Sequence, residues 1–143
     1  MAANIVVADV VVTLDTRDIE TMGIRKRVSF PSIAFGHASL QLYPNTGITI
    51  GVPMPAIGAF GMKKAITRMF IQGDPARGYY YVYDPVNNTI RIYQSAGFTP
   101  AGTITNGTPD TFAGAAVAAG PPVEVPNGTV VLVTVLQLMV IGA

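Results

Sequence analysis

Residues 130–141 read VVLVTVLQLMVI. Side chains on a strand alternate between the two faces of a sheet. One set here is Val130, Leu132, Thr134, Leu136, Leu138 and Val140; the other is Val131, Val133, Val135, Gln137, Met139 and Ile141. Both sets are almost wholly apolar. A strand with one wet face alternates apolar and polar residues, and this one does not, so it is expected to be covered on both sides. A chain of 143 residues has little spare mass for a second cover. The expected cover is another copy of the same chain, with Val131, Val133, Val135, Leu136 and Leu138 as the core and subunit-interface residues.

Composition points the same way. Charged residues make up 12% of the chain, about half the roughly 25% usual for soluble domains, while apolar residues make up 50%. Such depletion suits large protein–protein contacts. A net charge of +1 gives no electrostatic case for nucleic acid or an anionic membrane. The apolar runs break well short of the roughly 20 residues of a spanning helix. The opening MAANIVVADVVV has no basic leader, and Asp9 interrupts it, which reads against a secretory signal. There are no cysteines, so disulfides and thiolate metal sites are excluded.

Along the chain, residues 5–14 are β-branched and predict a strand. In residues 17–35, RDIETMGI is compatible with a short helix that Gly23 would stop. The stretch 28–35 reads as extended, with Pro31 marking an edge or a break. A short strand is expected at 39–43. Glycine and proline dominate YPNTGITIGVPMPAIGAFGM (43–62), which predicts a surface-hugging loop with one short strand near 48–52. KAITRMFIQ (64–72) predicts a strand, with a short helix as the alternative. YYYVY (79–83) and TIRIY (89–93) flank DPVNN (84–88) and predict a β-hairpin: proline presets the turn, and asparagine tolerates left-handed backbone. Residues 95–120, rich in Gly, Ala, Thr and Pro, read as an extended loop. Asn127-Gly128 is a tight-turn signal, expected to join a short strand at 123–125 to the final strand in a hairpin. Many short strands and almost no helix predict a mostly β protein, a jelly-roll-like β-sandwich. Residues 1–38 are expected to form an N-terminal strand and arm, and 39–143 the sandwich domain.

Little in the sequence suggests catalysis. His37 is the sole histidine and has no acid at ligand spacing nearby; it reads as a hydrogen-bonding surface or interface residue. Asp74, Asp84 and Asp110 each adjoin a proline and read as turn acids. Asp15, Asp18 and Glu20 lack the regular spacing of a calcium loop. The glycines at 47, 51, 58 and 61 form no phosphate loop. Arg25, Lys26 and Arg27 form the one basic cluster, either a solvated face or a surface that meets an acidic partner. Tyr79, Tyr81 and Tyr83 should share one face of their strand and Tyr80 take the other. That leaves a choice between a sugar platform and a cross-strand aromatic pairing with Tyr93, and the second is preferred. No enzyme activity, cofactor or metal is expected.

Three of these segments together resemble a known family. YPNTGITIGVPMPAIGAFGM, GYYYVYDPVNNTIRIY and a closing apolar strand ending in VIGA resemble small structural proteins of tailed bacteriophages. There a Tyr-Pro…Gly…Gly-Val-Pro segment precedes a Tyr-x-Tyr-Asp-x-x-Asn-x-x-Ile-Arg hairpin, matched here by Tyr81, Tyr83, Asp84, Asn87, Ile90 and Arg91. The likeness spans roughly residues 43–143 and is a pattern of strands and turns. It implies a head decoration (cement) protein: a jelly-roll homotrimer on the outer surface of the virion, made in the host cytoplasm, that clamps adjacent major capsid protein subunits against internal DNA pressure. The chain departs from the commonest form in its run of tyrosines and its long Ala/Gly/Thr loop. Ile5 and Val7, on the N-terminal strand, and Arg25, Lys26 and Arg27 are the expected capsid-binding residues. The alternative is a head-fibre or tail module that binds a receptor or glycan through the tyrosine hairpin. Enclosing about six further aliphatic side chains per subunit contributes on the order of 10 kcal/mol before entropy costs. That is comparable to the whole stability of a domain, so obligate assembly is expected.

Overall fold

A computed structural model describes residues 2–37, 41–46, 49–73, 78–96 and 120–143. The strands in chain order are β1 (Ala3–Asn4), β2 (Val11–Thr13), β3 (Ile19–Met22), β4 (Lys26–Ser29), β5 (Ser32–Phe35), β6 (Gln41–Leu42), β7 (Asn45–Thr46), β8 (Thr49–Ile50), β9 (Val52–Pro53), β10 (Ile66–Gln72), β11 (Tyr79–Asp84), β12 (Thr89–Ala96), β13 (Gly120–Glu124) and β14 (Thr134–Gly142). Among the described residues there is no α-helix, only 3-10 turns at Val7–Asp9, Thr16–Asp18 and Ile57–Phe60. The protein is mostly β.

The larger sheet is built around β14. On one edge β14 pairs antiparallel with both β4 and β5, through Val140 opposite Ser29 and Leu136 opposite Ile33. The register is the same along both partners, and Leu138 N–H donates to Pro31 O at 2.9 Å between them. Residues 26–35 thus run beside β14 as one extended ribbon, interrupted at Phe30-Pro31 because proline has no N–H to give the ladder. The break expected at Pro31 is there. The other edge of β14 takes β10, with Val140 opposite Met69. β2 and β3 line the far side of the 26–35 ribbon.

The smaller sheet centres on β12. It pairs with β11 on one edge and with β9 and β13 on the other. The β11–β12 hairpin forms as expected, and its turn chemistry is explicit. The Asp84 carboxylate accepts from Val86 N and Asn87 N, and Asn88 adopts φ +51°. The Tyr83 hydroxyl donates to Asn88 Oδ1 at 2.9 Å, and Asn88 Nδ2 donates to the Met54 and Pro55 carbonyls. The β10 strand also forms where expected.

One continuous buried cluster draws on both sheets. It holds Ile33, Phe35, Leu136, Leu138 and Val140 from the larger sheet and Val52, Ile90, Ile92 and Val125 from the smaller sheet and its border, with Tyr43, Met54, Phe60 and Met62 between. Ser29 is buried too, and its hydroxyl donates to Phe60 O at 2.6 Å, which satisfies it away from water.

Several local expectations give way to this packing. Residues 5–14 do not make one strand: a 3-10 turn at Val7–Asp9 splits β1 from β2, and β1 pairs parallel with β6. The segment compatible with a helix is strand β3, because Gly23 (φ +72°) turns it back onto β4 as a hairpin. The stretch near 48–52 yields β8 and β9, which join different sheets. The Asn127-Gly128 turn forms, with Gly128 at φ +80°, but it does not close a hairpin. β13 belongs to the smaller sheet and β14 to the larger, and residues 130–133 carry the chain between them, with Val130 bridging to Leu42. The final strand therefore starts at Thr134. Residues 11–35 form half of the larger sheet, and Ile5, Val10, Ile33 and Phe35 lie in the common cluster, so this segment is sheet and core where an arm was expected. Most of the 95–120 loop lies outside the described residues.

Candidate assembly interface

The final strand does have two faces with different fates. Along β14, Thr134, Leu136, Leu138, Val140 and Gly142 are buried, and the residues between them are exposed or half-buried. Leu136 is 0% exposed, while Val133 and Val135 are each 55% exposed. The interface residues expected from sequence therefore divide. Val131, Leu136 and Leu138 are buried in the protomer's own core. Val133 and Val135 stand on the open side.

The ladder extends that open side across the sheet. Val11 lies opposite Ala34, and Ala34 opposite Val135, so one row crosses three strands. Farther along, Phe30, Met139 and Phe70 line one groove of about 390 Å³ together with Gln72 and Gln137. Phe30 is 46% and Phe70 53% exposed. The flanking polar positions, Thr13, Ser32, Gln72 and Gln137, are uncharged. Glu20 and Arg68 enter only at the row of Val28 and Ile141. An exposed sheet face with aromatic and aliphatic side chains and no charge over most of its width has the composition of an interface centre.

The expected capsid-binding residues also separate. Ile5 is 1% exposed, and its N–H donates to Leu42 O at 3.0 Å, so it packs inward and offers nothing to a shell. Val7 is exposed on its 3-10 turn. Arg25 and Lys26 are exposed at the β3–β4 turn, and half-buried Arg27 approaches Gly61 O through Nη1 at 3.5 Å.

The smaller sheet carries a polar network that sequence reading missed. Buried Tyr43 donates from its hydroxyl to Glu124 Oε1 at 2.6 Å and accepts from Ile92 N at 3.2 Å. Arg91 bridges Asp84 at 2.9 Å and Glu124 at 3.7 Å. Burial, and then the bond to Glu124, push the Tyr43 phenol far above its ordinary value of 10.0. Asn87, the turn amides and Arg91 hold Asp84 below the usual carboxylate range. The arrangement ties the 43–44 loop, β12 and β13 together.

That geometry predicts an alkaline limb in stability. Below pH 10.0 the phenol is protonated in both folded and unfolded chains, and its contribution is complete. As pH rises past that value the unfolded chain ionises first, so stability falls. Tyr43→Phe should cost about 1–3 kcal/mol near neutrality, because Glu124 loses a donor and Ile92 N an acceptor. The gap between the two proteins should then narrow with rising pH in urea melts between about pH 8 and 11. A gap that does not change with pH would exclude this role for Tyr43.

The tyrosine strand alternates as expected. Tyr79, Tyr81 and Tyr83 pack against the core cluster, and Tyr80 faces outward opposite Tyr93. His37 is exposed, and its backbone N–H donates to Val131 O. Among the described residues no group of three His, Cys, Asp or Glu is placed to hold a metal ion, and no helix is long and apolar enough to cross a membrane. Comparison with protein-family models, curated proteins and solved structures gives no match to this chain.

Proposed function

We propose that this chain is a viral structural protein: a trimeric, jelly-roll-like decoration (cement) protein of a tailed-bacteriophage head that binds the major capsid protein and stabilises the shell. The observation that carries the reading is the open apolar face of the larger sheet, where Val135, Phe30 and Phe70 face solvent in a protomer whose core is already complete. Two antiparallel sheets over one core, with the chain crossing between them at 130–133, support a jelly-roll-like protomer. The resemblance of residues 43–143 to phage head proteins supplies the assembly. Val133 and Val135, with Phe30, Phe70 and Met139, form the subunit interface in this reading. Val7, Arg25, Lys26 and Arg27 face the shell. Many copies on one lattice make weak individual contacts sufficient.

Light scattering at micromolar concentration should give three times the protomer mass of 15.0 kDa. Val135→Lys, on the open face, should yield a folded protomer with unchanged far-UV circular dichroism and the mass of a single chain. A wild-type protein that is a soluble monomer at that concentration would remove the reading. Purified virions analysed by mass spectrometry should contain the chain.

A second reading, a head-fibre or tail module that binds a glycan, is favoured by Tyr80, which is 57% exposed on the outer face of its hairpin. Glycan-array binding that disappears in Tyr80→Ala would select it.

A further inference from the structure

Five of the nine lysine and arginine residues in the chain line one cleft: Arg25, Lys26 and Arg27 from the β3–β4 turn, and Lys63 and Lys64 from the segment before β10. The two groups are brought together by the end of β14. The main-chain oxygen of Ala143 accepts from Lys63 N at 2.9 Å, Lys64 N at 2.6 Å and Ala65 N at 3.3 Å, and it pins that segment beside the turn. The cleft has a volume of about 480 Å³. No acidic residue lines it, and even a carboxylate at Ala143 would offset only one of the five charges. Among the described residues none of the five cations is held in an ion pair; Asp84 and Glu124 are engaged by Arg91 instead. Like charges gathered within a screening length of about 10 Å repel one another, and an anionic ligand relieves that repulsion.

The lining selects among anions. Nucleic-acid grooves track a phosphate backbone with a row of cations and stack bases on aromatic side chains. Here the cations are gathered at one spot, no aromatic residue lines the cleft, and the net charge is only +1. A free phosphate would use converging backbone amides, but those of residues 63–65 are already committed to Ala143. Ile24, fully exposed at the cleft's lip, offers an apolar contact that an inorganic ion leaves unused. Guanidinium groups suit paired carboxylate oxygens.

We propose that this cleft is a docking site for an acidic peptide segment of a protein partner, one that carries clustered Asp or Glu and an adjacent apolar side chain. The inference rests on the reading of Arg25 to Arg27 as a partner-facing surface, adds Lys63, Lys64 and Ile24 to it, and assigns the chemistry of the ligand.

The test is fluorescence anisotropy of the intact protein with a rhodamine-labelled peptide of glutamates and interspersed leucines. The glutamine counterpart of that peptide, an oligothymidylate and inorganic phosphate serve as comparisons. The glutamate peptide should bind, and the glutamine peptide should not. Binding should weaken as added salt shortens the screening length from about 10 Å to about 3 Å. The double variant Lys63→Glu/Lys64→Glu, changed at exposed side chains, should melt like the parent and bind about tenfold or more weakly. Ile24→Ser should weaken the leucine-containing peptide but not a pure polyglutamate. Equal binding by the double variant, no binding by the parent, or tighter binding of oligothymidylate or phosphate would overturn the proposal. The mass of the same samples is read separately. A monomer that still binds the peptide defeats the trimer reading alone, and a trimer that does not bind it defeats this inference alone.

Discussion

Leu136→Asp should leave no folded protomer. Leu136 is wholly enclosed between the two sheets, opposite Ile33 on β5. Truncating a buried leucine to alanine typically costs about 2–5 kcal/mol. The aspartate adds a charge with no partner in an apolar surrounding, a cost of several kcal/mol more unless the group takes up a proton. Together these reach the roughly 5–15 kcal/mol that separates a whole domain from its unfolded chain. The expected result is loss of the near-UV circular dichroism signal and of the cooperative urea transition. The milder Leu136→Ala should retain a transition with a lower midpoint. A folded Leu136→Asp protein that fails only to assemble would mean that Leu136 belongs to a subunit contact after all. The contrast with Val135→Lys carries the point: the two sites adjoin on one strand and should break different things.

Gly36→Ala should be nearly as damaging, although it adds a single methyl group. Gly36 follows β5 with φ +92°, and a Cβ there would collide with the main-chain oxygens of Leu132 and Val131. The neighbouring His37 N–H donates to Val131 O at 2.9 Å, so the two backbones are held against each other at this crossing. Neither can move aside as a flexible side chain would. Left-handed backbone at a residue with a Cβ costs on the order of 1–3 kcal/mol, and the collision adds to it. The segment that must yield is the approach to β14, the centre of the sheet. A fall in the melting midpoint of roughly 10 °C or more is expected by scanning calorimetry. Gly23→Ala makes the control for backbone strain alone, since Gly23 has similar φ but open space around its Cβ position. Equal losses at the two sites would show that close packing at Gly36 contributes nothing.

What the sequence disclosed tracks how local each signal is. The β11–β12 hairpin is legible because Asp84, Pro85 and Asn88 set the turn with bonds that span only a few residues. The break at Pro31 is legible for the same reason. The strand at 130–141 announces itself by lacking alternation, and its inner face is the core. The same lack of alternation implies a cover over its outer face, yet in the protomer that face is open, and Phe30 and Phe70 extend it from segments far away in the chain. Ile5 looked like an exposed strand residue because nothing nearby shows that β1 will lie beside β6. The basic cleft was half visible as Arg25, Lys26 and Arg27. Lys63 and Lys64 join it only through the hydrogen bonds of residues 63–65 to Ala143, a link between distant segments that no spacing rule anticipates. Tyr43 and Glu124 stayed hidden likewise, since their bond joins residues 81 positions apart in the chain.

The place of β14 at the centre of its sheet, between ribbons made much earlier in the chain, has a price during synthesis. Residues 26–35 and 66–72 leave the ribosome with bare edges and must wait for their shared neighbour. At about 5–20 residues per second that delay is on the order of ten seconds. Over that interval the nascent chain is adhesive and vulnerable to cross-pairing between polysomes, so yield in cells should depend on holdase chaperones more than the stability of the finished molecule would suggest.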